Sequence, residues 1–318
     1  MDHHPGIALP RAGLVTMMRF LPILCLSAAT GHEPAAERLQ VIATISDLGS
    51  LARTIGGDAV EVVVLVQPGQ DPHSVIAKPS QLLKLSRADV LIEMGLNYEH
   101  AFLPALLEKC RNDKLLPGGP GFVNVSAGIT PLEVPASADR GQGADIHPQG
   151  NPHFNLDPDN ARIMARAVAD VLKRADADRA EQYERNFQAW DELARRRIAE
   201  WDTILQPFRG ARIVTYHRSW SYFAARYGLE VVGTVEPKPG LAPSAGHLRD
   251  LANRMREQGV KLIVMEPWYS EGTVGALLEA TGARVLKLYA TSGGTPQTAE
   301  YLAYMDDLVR KMAAALGG

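Results

Sequence analysis

Twice along this chain, short β-branched apolar runs alternate with stretches of helical periodicity. Val41–Ile45, Val60–Val66, Val90–Ile92 and Phe122–Val125 read as strands, with helical stretches at Leu48–Ile55, Pro79–Ser86 and Phe102–Cys110 between them. The runs are nearly continuous rather than alternating, as expected where both faces of a strand are covered. From Ala211 the pattern returns. Strands are expected at Ile213–Tyr216, Leu229–Val232, Leu262–Met265 and Val285–Leu288, and helices at Ser219–Tyr227, Ala245–Gln258, Thr273–Thr281 and Thr298–Ala315. A βαβα order predicts a parallel sheet covered by helices, here formed twice.

Between the two blocks the chain changes character. Residues 133–152 are small, polar and aperiodic, and read as a mobile surface loop. Asp157-Pro158-Asp159-Asn160 then supplies helix-capping residues, and Ile163, Met164, Ala167, Val168, Val171 and Leu172 form an apolar stripe at helical spacing. A second helix is expected from near Asp178 to just before Pro207, with Tyr183, Phe187, Trp190, Leu193, Ile198, Trp201 and Leu205 as a stripe of core residues rather than a cofactor box. The expected fold class is α/β, with two similar (β/α) lobes. The N-terminal lobe spans 39–158, the helix at 159–175 links the lobes, and the C-terminal lobe spans 176–318.

The first residues obey another grammar. Met17-Met18-Arg19 precedes the apolar run Phe20–Leu26 and then Ser27-Ala28-Ala29. A basic start, a run too short to span a bilayer and small residues beyond it are expected of a secretory signal peptide, here with its leader over residues 1–31. Pro22 argues against a buried helix instead. Ile23 and Leu24 before Cys25 do not make a lipobox, so lipid anchoring is not expected. Beyond the leader only Cys110 remains, which excludes an internal disulfide and any Cys-based zinc finger. A net charge of −3, without a basic patch interleaved with aromatics, gives no support to nucleic-acid binding.

The chemistry is carried by histidine. His73 stands in Asp71-Pro72-His73-Ser74, His153 in Asn151-Pro152-His153-Phe154, and His217 in Tyr216-His217-Arg218-Ser219-Trp220. In open parallel sheets a ligand binds beyond the carboxyl ends of the strands. His73 and His217 each follow a strand, one in each block, so both would project into the cleft between lobes. Three neutral imidazoles suit a borderline cation such as Zn²⁺. His3, His4, His32, His100 and His247 lack such a setting and read as ordinary histidines. His147, Asp139 and Asp145 lie in the aperiodic loop. His147 and Asp145 would at most capture a cation in passing.

A wider set of residues resembles a known family. Asp71-Pro72-His73, the stretch Lys78–Val90, Gly95-Leu96-Asn97-Tyr98-Glu99, Asn151-Pro152-His153 with Asp157-Pro158, Tyr216-His217, Tyr222-Phe223, Tyr227-Gly228-Leu229, Glu266-Pro267 and Tyr301 occur in an order similar to that of the cluster A-I solute-binding proteins of metal ABC transporters, the ZnuA, TroA and PsaA type. The matches run from about residue 40 to 315. The resemblance implies two lobes joined by one long rigid helix, with His73, His153 and His217 as ligands of a metal held between them. It also implies a fourth ligand, often an aspartate in a Val-Leu-x-Leu-Asp context. The matching stretch here is Val285-Leu286-Lys287-Leu288-Tyr289, with Tyr289 in place of the aspartate. Water, Glu236 or Glu266 could take that position. Glu236 is the expected fourth ligand, and Glu266 and Tyr289 are read as supporting groups or alternatives.

The function expected is that of an exported, periplasmic receptor that binds Zn²⁺ and delivers it to the membrane permease of an ABC importer, acting as a monomer. Manganese or iron cargo is the alternative. The competing enzyme reading is a three-histidine zinc hydrolase, for which no HExxH or GxSxG motif is present.

Overall fold

Each block forms a four-stranded, wholly parallel sheet, and the two sheets share one connectivity. In this computed structural model the described residues are 1, 8, 37–136 and 147–318. The expected leader therefore falls almost wholly outside the described residues, as do Asp139 and Asp145. The first sheet is built from β1 (Leu39–Ala43), β2 (Val60–Val64), β3 (Val90–Glu93) and β4 (Phe122–Asn124), in the order β2-β1-β3-β4. The second is built from β5 (Arg212–Thr215), β6 (Glu230–Thr234), β7 (Leu262–Met265) and β8 (Arg284–Lys287), in the order β6-β5-β7-β8. The chain reverses its direction of growth beside β1 in one sheet and beside β5 in the other. Those switch points are where parallel sheets leave a crevice for ligand.

Helices α1 (Ser46–Gly56), α2 (Pro79–Arg87) and α3 (Leu103–Cys110) accompany the first sheet. Helices α6 (Ser221–Tyr227), α7 (Ala245–Glu257) and α8 (Glu271–Thr281) accompany the second. Between the sheets run α4 (Pro158–Ala175) and α5 (Ala180–Leu205). Asp157 caps α4 by accepting from the Asp159 N–H at 2.9 Å, with Pro158 in the first turn, where its missing N–H costs nothing. Of the expected stripe, Met164, Val168, Val171 and Leu172 are fully buried, as are Ala161 and Ala165, where α4 packs on α5; Ile163, expected among them, is instead 37% exposed, because it lies off the face that meets the core. Arg162 and Asp191 (2.6 Å), and Arg166 and Glu184 (2.7 Å), flank that seam.

The final helix, α9 (Tyr301–Gly317), starts three residues later than the sequence pattern suggests. Pro296 starts a separate 3₁₀ turn over Pro296–Thr298, and a proline there opens a turn without continuing a longer helix. Helix α9 packs back on α5 and reaches α1. The result is one continuous apolar core through the first sheet, α4, α5 and α9, with a smaller one around Val235, Leu251, Met255, Ile263 and Leu277. No described helix is long and apolar enough to cross a membrane.

One irregularity bears on the site. The β5–β6 register slips between Ile213 and Val214, from Ile213↔Val231 to Val214↔Gly233. Without the extra residue, Val235 would lie level with His217. With it, Glu236 does.

Candidate metal site

The repeated Asx-Pro-His pattern has a local cause. In each copy the side chain of the first residue accepts from the histidine's own N–H, Asp71 Oδ1 to His73 at 3.0 Å and Asn151 Oδ1 to His153 at 2.9 Å. This is an Asx turn, with proline fixing φ between the two partners. Each turn opens a short 3₁₀ segment, with His73 inside Pro72–Ser74 and His153 capping Phe154–Leu156. His217 is placed differently. It follows β5 directly, and backbone pairing continues past the strand ends through Val235 to Thr215 and Glu236 to Tyr216.

These three turns bring the imidazoles together. Ring centroids are 5.3 Å apart for His73 and His153, 5.6 Å for His73 and His217, and 5.3 Å for His153 and His217. The Nε2 atoms of His73 and His153 lie 3.3 Å apart. One potential donor atom from each ring lies within 4.8 Å of the others, and among the described residues this is the sole His/Cys/Asp/Glu group of three or more so arranged. A tetrahedral zinc with Zn–N bonds of 2.0–2.1 Å needs ligand nitrogens about 3.3 Å apart. The His73–His153 pair already has that spacing.

The protonation states suit such a role. Burial, and then the neighbouring imidazoles, hold the pKa values of His73 and His153 well below the usual histidine range. Both rings are therefore neutral at physiological pH, with lone pairs available. His217 is the exception. Burial opposes its charge, but the Glu236 hydrogen bond and the fields of Glu266, Glu236 and Asp71 outweigh that and raise its pKa. His217 Nδ1 lies 2.7 Å from Glu236 Oε2, so the ring offers Nε2 to the cleft. Glu236 Oε2 also accepts from the Gly240 N–H at 3.3 Å.

Glu266 directly follows β7 and is completely buried, with its carboxyl pKa raised by burial. Ser219 stands close enough to favour the ionised form, yet neither Glu266 oxygen has a formed hydrogen bond among the described residues. Tyr289 has other neighbours in this structure. Its ring packs over Gly69 and Gly294, its backbone carbonyl accepts from the Tyr304 hydroxyl at 2.8 Å, and it makes none of the ring contacts to the histidines. His147 stands 5.0 Å from His73 by ring centroid, at the mouth of a cavity of about 210 Å³ that Glu133, His153, His217, Arg218 and Lys238 also line.

Two neighbours carried no signal of their own in the sequence. Tyr98 is buried and meets His73 and His153 edge-on, at 5.4 Å in each case. His100, read as an ordinary histidine, stacks on His73 at 5.9 Å. Both come from a turn in which Gly95, Leu96 and Asn97 all have positive φ. Left-handed backbone costs roughly 1–2 kcal/mol at a non-glycine residue. The buried Glu99 carboxylate offsets that cost by accepting from Met94 N (2.7 Å), Gly95 N (3.2 Å) and Thr44 Oγ1 (2.6 Å). The consecutive Gly-Leu-Asn was the available cue, because Asn and Gly tolerate that region best.

Known proteins resemble this chain in sequence and fold. The family model described as zinc-uptake complex component A, periplasmic, ZnuA, matches residues 41–315. This chain belongs to the ZnuA family. A high-affinity zinc uptake system protein ZnuA from Paracoccus denitrificans is 27% identical over 92% of this chain and 98% of its own length. The iron-binding protein YfeA of Yersinia pestis is 26% identical over 96% of each chain. A crystal structure of ZnuA superposes with a TM-score of 0.72 at 29% identity, covering 88% of this chain and 99% of that one. The ZnuA family consists of metal-binding solute receptors of ABC transporters, not enzymes, which disposes of the hydrolase reading.

Proposed function

We propose that this chain is the zinc receptor of an ABC importer, with His73, His153 and His217 as the ligands of the transported ion. The observation that carries the reading is the 3.3 Å separation of the His73 and His153 Nε2 atoms, which matches one edge of a tetrahedral zinc site. Imidazole nitrogen suits Zn²⁺, whereas Mn²⁺ favours carboxylate oxygen and higher coordination. The carboxylate nearest to the rings, Glu236, already holds His217 by its Nδ1. We assign it that orienting role in preference to the fourth position, which leaves water as the fourth donor. Glu266, buried and within the electrostatic reach of His217, is assigned a supporting role rather than the fourth position. Tyr289 serves as packing against the Gly69 turn.

The work of the protein is capture and release. Neutral imidazoles bind the ion in the cleft, and docking on the permease must favour a state in which they no longer converge. Helix α4 is the proposed link between lobes, in a periplasmic, monomeric protein exported by the residues 1–31 leader. Iron cargo is the second reading, favoured by the similarity to YfeA at nearly full length.

Competitive titration of metal-stripped protein with Zn²⁺, Mn²⁺ and Fe²⁺ tests the assignment. Zinc is expected to win by at least about a hundredfold, the equivalent of nearly 3 kcal/mol. Each of His73→Ala, His153→Ala and His217→Ala should weaken zinc binding by a similar factor or more. A preference for manganese or iron would overturn the cargo assignment, and unaltered affinity in the alanine variants would overturn the site.

A further inference from the structure

Two of the three imidazoles lack the usual partner. A ligating histidine ordinarily hydrogen-bonds through its second ring nitrogen, which fixes the ring plane and the tautomer. His217 follows that rule through Glu236. His73 and His153 do not: the Nδ1 atom of each is buried and has no hydrogen-bond partner among the described residues. Their Asx turns hold only the backbone N–H. The torsion that rotates a histidine ring about its Cβ–Cγ bond is broad, so backbone placement leaves the ring plane open. The spacing of the two Nε2 atoms depends on that plane.

A third ring supplies the constraint. Tyr98 is 1% exposed and lies 5.4 Å from His73 and 5.4 Å from His153 by centroid, at interplanar angles of 62° and 76°. His73 and His153 are 5.3 Å apart at 79°. The three rings form a nearly equilateral triangle of edge-to-face contacts, the arrangement in which the positive edge of one ring meets the negative face of the next. Among the described residues Tyr98 is the one ring outside the trio that meets both histidines. His100 and His147 also meet His73, but both are partly exposed.

The mounting of Tyr98 is stiff. Its N–H donates to the Gly95 carbonyl at 3.0 Å, across the left-handed turn. The neighbouring Glu99 carboxylate ties that turn to the end of β3 through Met94 and Gly95, and to Thr44 just past β1. Downstream, the Phe102 and Leu103 N–H groups return to the Glu99 carbonyl at 3.1 and 3.0 Å. A ring seated this way is a fixed wall against which two imidazoles can register.

We infer that Tyr98 is the positioning residue of the His73–His153 pair and that, through it, the site selects its cation by size. This rests on the trio being the cargo site. The 3.3 Å between the Nε2 atoms fits one edge of a zinc tetrahedron. Cd²⁺ shares zinc's closed d shell and differs chiefly in being larger, so it needs the nitrogens farther apart. A wall that holds both ring planes resists that widening. The aromatic ring carries the role, so Phe should replace Tyr98 and Leu should not.

The test uses the full chain, stripped by chelator and titrated in competition with Zn²⁺ and with Cd²⁺. Tyr98→Phe, Tyr98→Leu and Tyr98→Ala are compared with wild type, each checked for native circular dichroism; Tyr98→Leu keeps an apolar filler and stays informative where the alanine variant is unstable. The preference for Zn²⁺ over Cd²⁺ is expected to fall about tenfold in Tyr98→Leu and Tyr98→Ala, and to stay within about threefold of wild type in Tyr98→Phe. The visible absorption of Co²⁺-loaded protein, which reports ligand geometry, should change in the first two and persist in the third. An unchanged preference with an unchanged Co²⁺ spectrum in Tyr98→Leu would overturn the inference, since bulk alone would then suffice. A loss in Tyr98→Phe as large as in Tyr98→Ala would also overturn it, by making the hydroxyl the acting group. Failure of the cargo-site reading is separable, because His73→Ala and His153→Ala would then bind Zn²⁺ like wild type.

Discussion

At the scale of single residues, the site depends on groups that fix ring orientation as much as on the rings. Asp71 and Asn151 set two histidines through backbone turns, and Glu236 sets the third through its ring nitrogen. Removing such a partner commonly lowers metal affinity 10- to 100-fold, and Glu236→Gln should do so at roughly pH 8. Its pH dependence separates charge from geometry. His73 and His153 have lowered pKa values and His217 a raised one, so His217 takes the first proton on acidification. Zinc must displace that proton, and wild-type affinity should fall about tenfold per pH unit below the His217 pKa. Glu236→Gln removes the largest influence raising that pKa, so its fall should begin at lower pH. Zinc competition titrations at several pH values would show this, and coincident onsets would refute it. The three ligand candidates were legible in the sequence because each Asx-Pro-His or strand-His unit is a local device. His100 and Tyr98 were not: Gly95-Leu96-Asn97 marks a left-handed turn, but nothing near them in sequence says that the turn faces His73.

Elements follow from periodicity wherever packing obeys it. Most of the α4 stripe and of the α5 stripe is visible in the sequence and buried where the two helices pack, with Ile163 and Leu193 exposed instead. Met164 sits in the middle of that seam with no exposed surface. Met164→Ala should therefore destabilise the protein by about 2–5 kcal/mol through lost contacts and a cavity, measured by urea unfolding. Zinc affinity should survive, since α4 supplies none of the three histidines. A loss below about 1 kcal/mol would mean that the seam relaxes around the gap. The shorter features escaped the pattern. The one-residue slip between β5 and β6 leaves hydrophobicity unchanged on either side of it, yet it decides that Glu236 stands beside His217.

Across the whole molecule, the start of α1 is tied to the C-terminal block by a buried carboxylate. Asp47 accepts from Ser292 N and from Asn155 Nδ2, each at 2.6 Å, and Ser46 donates to the Ser292 carbonyl at 2.6 Å. Burial, only partly offset by these hydrogen bonds, raises the Asp47 pKa to about 6. In an unfolded chain the value is near 3.9, so between the two the folded state holds the extra proton and stability falls as pH rises. A two-unit shift makes the ionised form cost about 3 kcal/mol at neutral pH. Asn mimics the protonated acid, so Asp47→Asn should gain stability relative to wild type as pH rises from roughly 4 to 7. Urea midpoints at both ends of that range would test it. A constant difference between the two proteins would show that Asp47 does not titrate there.

The sequence alone determined the α/β class, both parallel sheets and the three histidines, because strand runs, helix stripes and Asx turns are written within a few neighbouring residues. The tertiary structure decided which groups share the cleft. Glu236 rather than Tyr289 stands against His217, and five imidazoles rather than three lie in ring contact. Those outcomes depend on register, on backbone left-handedness and on how two lobes meet. Each is fixed by packing between segments far apart in the chain, which no local pattern encodes.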